Sequence, residues 1–270
     1  MSVALVTGPD VSRMNWAWRR GLKAKLGLSA VRETVVFLHG FGGTHRTWDG
    51  VAARLDSERY RALALDLPGH GAQAECERPI TFAGCIGHVL GVAPERFTLC
   101  GYSLGGRVAL HVALSAPSQV CRLVLVATSA GIDDRDERAA RALADRGLAD
   151  ELESAPLERF IERWRTQRLF ASDPPEVAEL AAEDQRRNRA GSLAAALRGI
   201  GSGEMEPLWG RLGELAMPTT VIAGERDWRY RALARRMVEL LPDAELVVIP
   251  GGHRLALESP AAVAEALARR

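Results

Sequence analysis

The 270-residue chain lacks the features that mark several broad classes of protein. Its formal net charge is only +1, and this balance gives no sign of a nucleic-acid or anionic-membrane partner. No apolar run approaches the roughly 20 residues that a helix needs to cross a bilayer. The N-terminus also lacks the basic, apolar and small-residue order of a secretory signal. We therefore expect a cytoplasmic protein that neither crosses a membrane nor binds nucleic acid.

Cysteine is scarce as well, and the 4 cysteines show no spacing typical of metal ligands. We interpret them as small core side chains in a reducing compartment. The 6 histidines occur singly along the chain, so we expect neither a metal nor another cofactor. The apolar content of 47% is enough to bury one large core, and it fits a monomer and a homo-oligomer equally well.

The segment from Cys100 to Gly106 contains the pattern Gly-x-Ser-x-Gly, with Ser103 at its centre. An apolar, strand-like run precedes this segment, and a helical pattern follows it. This context is typical of a nucleophile elbow, in which a serine lies on a sharp turn between a strand and a helix. The flanking glycines keep side chains from colliding in that turn. We therefore predict that Ser103 is the central catalytic residue.

Two further polar residues follow strand-like runs, in the order acid and then histidine that this architecture uses. Asp227 and His253 each come a few residues after a β-branched run. Residues just past the carboxyl ends of parallel strands gather at one edge of a sheet. We therefore predict a catalytic triad of Ser103, Asp227 and His253. Glu225 is the nearest alternative acid, but Asp227 lies farther into its loop.

A glycine-rich segment, 39–43, follows the strand-like run that ends at Leu38. Its flexible backbone can turn an N–H group inward, so we predict an oxyanion hole formed by the N–H groups of Phe41 and Leu104. His39 lies directly after the strand and is interpreted as structural. His70, in the turn after the next strand, receives the same interpretation.

Strand and helix patterns alternate along the chain, which predicts an α/β fold with a mostly parallel sheet flanked by helices. The predicted strands cover 3–7, 34–38, 60–66, 97–100, 123–127, 219–223 and 245–249. The predicted helices cover 48–55, 103–116, 230–241 and 260–268.

The interval 133–209 is too long for one crossover between strands. It is rich in Ala, Arg, Glu and Leu, and this composition predicts several amphipathic helices. We expect these helices to form a lid above the carboxyl ends of the strands. The core is then made of 1–132 and 210–270, and core and lid form a single structural unit.

Through these motifs the chain resembles the α/β-hydrolase superfamily over essentially its whole length, which implies the α/β-hydrolase fold. That superfamily hosts esterases, lyases, dehalogenases and receptors, so the fold alone does not give the reaction. Arg107 narrows the choice, because it lies four residues after Ser103 on the same helix face. A cation beside the reacting serine suits an anionic small-molecule substrate better than a neutral ester.

Further residues occur in an order similar to that of the 2-succinyl-6-hydroxy-2,4-cyclohexadiene-1-carboxylate synthases of menaquinone biosynthesis. They are Ser103 to Arg107, Arg138, Arg141, Trp164 with Gln167, Arg186 before Asn188, and Gly224 to Asp227 followed by Tyr230. This resemblance implies a carbon–oxygen lyase that eliminates pyruvate from an enolpyruvyl-cyclohexene tricarboxylate without a cofactor.

The resemblance also implies a role for each site residue. Ser103, made basic by His253, removes a ring proton, while Asp227 fixes the histidine tautomer. The residues implied in substrate binding are Arg107, Arg141 and Arg186 for the carboxylates, and Tyr102 and Trp164 for the ring.

Two other functions remain open from the sequence. A carboxylesterase or C–C bond hydrolase would use the same triad through an acyl-serine, although the set of arginines argues against it. A ligand receptor could keep the fold without turnover, although the complete triad argues against that.

Overall fold

The computed structural model describes residues 32–269 and places six strands in one sheet. The strands are β1 Glu33–Leu38, β2 Tyr60–Leu65, β3 Phe97–Tyr102, β4 Val120–Val126, β5 Thr219–Gly224 and β6 Ala244–Ile249. Their order across the sheet is β2-β1-β3-β4-β5-β6, and each of these neighbouring pairs is parallel. The strand predicted at 3–7 lies outside the described residues.

Helices connect the strands. The α-helices are α1 Asp49–Ala52, α2 Phe82–Val92, α3 Leu104–Ser115, α4 Arg135–Ser154, α5 Leu157–Arg165, α6 Pro175–Gln185, α7 Ala190–Ile200, α8 Trp228–Leu240, α9 Leu255–Glu258 and α10 Pro260–Ala268. Short 3-10 helices cover His45–Trp48, Gly71–Gln73, Arg168–Phe170 and Trp209–Glu214.

Both faces of the sheet are buried, as a parallel sheet requires. Successive residues of β1 show the alternation: Val36 belongs to the core on one face, and Val35 and Phe37 belong to the core on the other. Helices α2, α3 and α8 cover the first face, and α1, α9 and α10 cover the second. The predicted sheet flanked by helices is therefore confirmed.

Two local differences from the sequence prediction have physical reasons. Helix α2 was not predicted, because Gly84, Gly87 and Gly91 lower its intrinsic helix propensity. It forms because Thr81 caps its first turn by accepting a hydrogen bond from Gly84 N at 3.0 Å, and because its apolar face is buried. Strand β4 begins earlier than predicted, because the sheet accommodates Arg122, which donates to Thr220 Oγ1 at 3.4 Å.

The interval between β4 and β5 holds helices α4 to α7, and we call it the insertion. The helices pack on a small apolar core of their own, which includes Leu152, Phe160, Ile161, Leu193 and Leu197. None of the helices described between residues 32 and 269 combines the length and the apolar character that crossing a bilayer demands.

Two helical glycines of the insertion provide a matched test of this packing. A Cβ at Gly147 in α4 would meet nothing within 4 Å, whereas one at Gly199 in α7 would collide with the backbone carbonyl of Ile80. We expect Gly147→Ala to raise the free energy of unfolding by about 0.5–1 kcal/mol through helix propensity. Gly199→Ala should lower it by about 1–3 kcal/mol through overpacking. Urea denaturation measures both, and equal changes would contradict the described contact of α7 with the core.

Candidate active site

Ser103 lies on the turn between β3 and α3 with backbone angles of φ 50° and ψ −109°. A positive φ is strained for a residue with a side chain, and such strain costs about 1–3 kcal/mol. Hydrogen bonds hold the turn in place: Ser103 N donates to Val126 O at 2.9 Å, and Thr128 Oγ1 donates to Ser103 O at 2.7 Å. This is the geometry expected of a nucleophile elbow.

The glycines around the elbow are required by close packing. A Cβ on Gly101 would overlap the backbone of Gly105, and one on Gly105 would overlap the carbonyl of Leu38. A Cβ on Gly106 would lie 2.5 Å from the Cβ of Thr128. Glycine at 101, 105 and 106 is therefore the condition under which α3 can start directly against the ends of β1 and β4.

The three residues predicted as a triad are joined by hydrogen bonds. Asp227 Oδ2 lies 2.7 Å from His253 Nδ1, and His253 Nε2 lies 3.2 Å from Ser103 Oγ. Asp227 is also the N-cap of α8, where its Oδ1 accepts from Tyr230 N at 3.2 Å. The histidine is 1% exposed and Asp227 is 7% exposed. This arrangement can hold one histidine tautomer and draw a proton from the serine.

Aromatic rings cover the histidine. Tyr102 and Tyr230 lie against His253, with ring centroids 5.5 Å and 4.4 Å away. From the insertion, Phe170 approaches the same ring at 5.8 Å, and Trp164 lies 6.0 Å from Phe170. The rings leave His253 almost fully buried, and burial strengthens its electrostatic interaction with Asp227.

Phe41 follows β1 and faces the same pocket as Ser103. Its ring contacts Trp164 at 5.2 Å between centroids. His39 precedes it and is fully buried; Leu67 N donates to its Nε2 at 3.0 Å, so its Nδ1 carries the proton given to Gly40 O. Burial lowers the pKa of His39 and keeps it neutral, as expected for the structural side chain that the sequence predicts.

Residues at and just beyond the end of α6 hold the backbone that follows Phe41, a contact that the sequence does not predict. Asn188 Nδ2 donates to Gly42 O at 2.7 Å, and Asp184 accepts from Thr44 N at 2.9 Å and from Thr47 Oγ1 at 3.0 Å. Asn188 lies beyond the end of α6, so this contact depends on the fold and no local spacing in the sequence marks it.

Arg107 is the most unusual charge in the pocket. It is only 8% exposed, its Nε has no hydrogen-bond partner, and no carboxylate of residues 32–269 lies within ion-pair distance of it. Its Nη1 donates to Ser202 Oγ. Burial lowers the pKa of Arg107 to about 10; the nearby Arg141 acts in the same direction, whereas Tyr230 and Asp145 partly oppose it. An anion bound beside it would remove this electrostatic penalty.

Arg141 lines the same pocket from helix α4. Its Nε donates to Asp145 Oδ1 at 2.8 Å, and its side chain is 41% exposed. The predicted residues Tyr102 and Trp164 line the pocket as well. The structure thus brings two arginines and two aromatic side chains of the predicted set to Ser103.

Arg186 is not among the residues that line this pocket. It is exposed on the C-terminal end of α6, where its Nε pairs with Glu158 at 3.2 Å and its Nη1 pairs with Glu179 at 3.1 Å. These two carboxylates already neutralise its charge. The described structure therefore places Arg186 away from the pocket of Ser103, contrary to the substrate-binding role that the sequence resemblance implies.

Other pocket residues carry no signal in the sequence analysis, because only the fold brings them near Ser103. They include Gln185, Leu257 and Arg254. Within residues 32–269, no group of three or more His, Cys, Asp or Glu side chains is arranged to hold a metal ion.

The sequence pattern of the alpha/beta hydrolase family matches residues 35–266. A curated relative is the 2-succinyl-6-hydroxy-2,4-cyclohexadiene-1-carboxylate synthase of Salmonella paratyphi C (strain RKS4594). It is 32% identical over 241 residues, which cover 87% of this chain and 92% of the relative.

Solved structures give the same picture of the fold. MenH from S. aureus superposes with a TM-score of 0.83 at 30% identity, over 88% of this chain and 94% of that one. The enol-lactonase from Burkholderia xenovorans LB400 reaches 0.75 at 21% identity, over 88% of this chain and 90% of that one, and shares the fold.

The charge of Arg107 is buried without a carboxylate partner among the described residues, so we expect it to lower the stability of the fold. The folded-state pKa of about 10 lies below the ordinary value, so the penalty on the charged form is complete at neutral pH. Arg107→Met should therefore raise the free energy of unfolding by about 1–3 kcal/mol. Urea denaturation at pH 7 measures the change, with the exposed Arg186→Met, expected within about 0.5 kcal/mol of the parent, as control. A lower stability of Arg107→Met would show that its charge is compensated in the fold.

Proposed function

Because the chain belongs to the alpha/beta hydrolase family, we propose that it catalyses the synthesis of 2-succinyl-6-hydroxy-2,4-cyclohexadiene-1-carboxylate in menaquinone biosynthesis. The observation that carries the proposal is the buried Arg107, which lacks a carboxylate partner and lies in the pocket of Ser103 and His253. A neutral ester would leave this charge uncompensated. A tricarboxylate substrate would supply the missing anion.

The proposed reaction is an elimination. Ser103 Oγ, made basic by His253, takes a proton from the ring carbon beside the succinyl carbonyl. The electron pair of the broken C–H bond moves through the ring double bond, a conjugated diene forms, and the C–O bond to the enolpyruvyl group breaks. The leaving enolpyruvate takes up a proton and becomes pyruvate. Asp227 stabilises the positive charge that His253 gains in the first step.

Negative charge develops on the succinyl carbonyl oxygen during proton removal. We propose that the backbone N–H groups of Phe41 and Leu104 receive it, since one follows β1 and the other starts α3 beside Ser103. The hydrogen bonds that Asp184 and Asn188 make to the loop after Phe41 support this role, because they restrict its backbone.

Two arginines of the pocket are assigned to the substrate carboxylates. Arg107 would bind the anion nearest to Ser103, and Arg141 would bind a second one with the part of its guanidinium that Asp145 leaves free. Tyr102 and Trp164 would pack against the ring. Arg186 is left out of this assignment, because Glu158 and Glu179 pair with it at the surface.

We also propose that residues 133–209 act as the lid of this site over a core of 1–132 and 210–270. The insertion supplies Trp164, Phe170 and Gln185 to the pocket, so its removal would open the serine to water. Exclusion of water favours the elimination, because a carbanion-like intermediate would otherwise be reprotonated.

The same hydrogen-bonded residues could serve an esterase or C–C bond hydrolase through an acyl-serine. Intact-mass analysis of the protein, quenched during turnover of the enolpyruvyl substrate, separates the two functions. The lyase gives pyruvate without any mass added to Ser103. A trapped adduct on Ser103 with the natural substrate would replace the lyase by the hydrolase.

Loss of any residue of the triad should abolish the elimination. We expect Ser103→Ala, Asp227→Asn and His253→Ala each to lower kcat by at least ~10³-fold, because the three act as one proton-transfer unit. The assay follows pyruvate released from the enolpyruvyl substrate, and circular dichroism checks the fold of each variant. Turnover near that of the parent in any folded variant would reject the assignment.

Of the three arginines, only the two that line the pocket should contribute to binding of the substrate carboxylates. Arg107→Ala and Arg141→Ala should each lower kcat/KM by about 10- to 150-fold, because a charge-assisted hydrogen bond contributes roughly 1.5–3 kcal/mol. Arg107→Lys should recover only part, since lysine lacks the planar fork. Arg186→Ala is the matched control and should change kcat/KM by less than about twofold.

A neutral ester such as p-nitrophenyl acetate separates recognition from folding. Its turnover, however slow, should be indifferent to all three alanine variants, because it offers no carboxylate. Equal losses with the tricarboxylate and the ester would show that these arginines support the fold. A large loss of kcat/KM in Arg186→Ala with the tricarboxylate, but not with the ester, would show that Arg186 does bind the substrate.

A further inference from the structure

Two residues of the insertion, Ser172 and Asp173, contact both loops that carry the acid and the histidine. We call this segment the 172–173 anchor. Asp173 Oδ2 accepts a hydrogen bond at 2.6 Å from Nη1 of Arg254, the residue directly after His253. The carbonyl of Ser172 accepts one at 3.4 Å from Nη2 of Arg226, the residue directly before Asp227.

The contacts extend to the other side of the histidine. Arg226 also pairs with Glu258, whose Oε2 accepts a hydrogen bond from Gly252 N at 2.7 Å. A Cβ on Gly252 would lie 3.1 Å from Ser172 Oγ, so this loop and the anchor are packed closely. The residues before and after His253 are therefore both held by groups that meet at the anchor.

The ion pair between Asp173 and Arg254 also contacts the ring that covers His253. The guanidinium carbon of Arg254 lies 3.9 Å from the centroid of the Phe170 ring. Phe170 in turn lies 5.8 Å from the His253 ring. Arg254 thus links the carboxylate of Asp173, the covering ring of Phe170 and the backbone of His253.

Stability alone does not account for this ion pair. The side chains of Asp173 and Arg254 are 1% and 5% exposed, so both charges have left water. Burial raises the pKa of Asp173, and its Oδ1 has no hydrogen-bond partner within residues 32–269. Buried pairs of this kind often contribute no more stability than apolar side chains of similar volume. Apolar side chains, however, cannot reproduce the directional hydrogen bond of an ion pair.

We propose that Asp173 and Arg254 are positioning residues, whose ion pair fixes the His253 loop and holds Phe170 against the His253 ring. The proposal rests on the catalytic role proposed for His253. Proton transfer depends steeply on the distance between His253 Nε2 and Ser103 Oγ. Loss of the pair should therefore lower kcat while the arginines that bind substrate, and hence KM, are little affected.

Four variants test the pair. Arg254→Met leaves Asp173 buried and unpaired, and Arg254→Lys keeps the charge without the planar stack. The double variant Arg254→Met/Asp173→Leu removes both charges and fills the space with apolar atoms, so it should fold. Arg198→Met is the control, because Arg198 is an arginine of the insertion whose partners, Asp150 and Glu153, are exposed.

Two measurements are made on each variant: kcat and KM from pyruvate release, and the downfield proton resonance of the His253–Asp227 hydrogen bond without substrate. We expect Arg254→Met and the double variant to lower kcat by about 10- to 100-fold, with KM within about threefold of the parent. The downfield resonance should shift in both. Arg254→Lys should recover most of kcat, and Arg198→Met should match the parent.

A folded double variant with the kcat and the resonance of the parent would overturn the proposal, because the pair would then only fill space. Failure of both Arg254→Met and the double variant to fold would also overturn it, since the pair would then be required for the fold. The resonance needs no substrate. If the parent releases no pyruvate, the proposed function fails, whereas an altered resonance in the variants still supports the positioning role.

Discussion

The close approach of α3 to the ends of β1 and β4 is the constraint on which the site depends. Gly105 and Gly106 leave no room for a side chain, because the carbonyl of Leu38 and the side chain of Thr128 occupy that space. The helix can therefore start directly after the strand, with Ser103 in a strained conformation that points its hydroxyl at His253. The strain is offset by the hydrogen bonds that join Ser103 to Val126, the last residue of β4, and to Thr128, two residues farther on.

The second feature of the site is the buried charge of Arg107. Arg107 stands on the first turn of α3, so the same packing that creates the elbow also buries a guanidinium four residues later. Burial makes this charge unfavourable and would strengthen its attraction for an anion. If Arg107 binds an anion as proposed, fold stability and anion binding oppose each other at this residue, as is common at functional sites.

The sequence allowed the sheet, the elbow and the positions of Asp227 and His253 to be predicted, because these depend on local patterns and on the order of strands. It could not give contacts between segments far apart in the chain. Asn188 and Asp184 reach the loop after Phe41 across more than a hundred residues, and no local pattern marks that contact. For Arg186 the sequence misled. Its place in the sequence resemblance implied a role in substrate binding, but nothing in the sequence showed that Glu158 and Glu179 pair with it at the surface. The catalytic roles themselves stay predictions.

The insertion is joined to the core at two sides of the serine. On one side, Asp184 and Asn188 hold the loop that follows Phe41; on the other, the 172–173 anchor holds the loop of His253. An insertion fixed at both sides is a poor candidate for a flap that swings open as a whole. The inner pocket instead continues into an outer groove, and Arg107, Arg141 and Tyr230 line both. Under the proposed function, an anionic substrate that entered along this groove would meet the half-exposed Arg141 before the buried Arg107, so the two charges proposed to bind it would also define its path to Ser103.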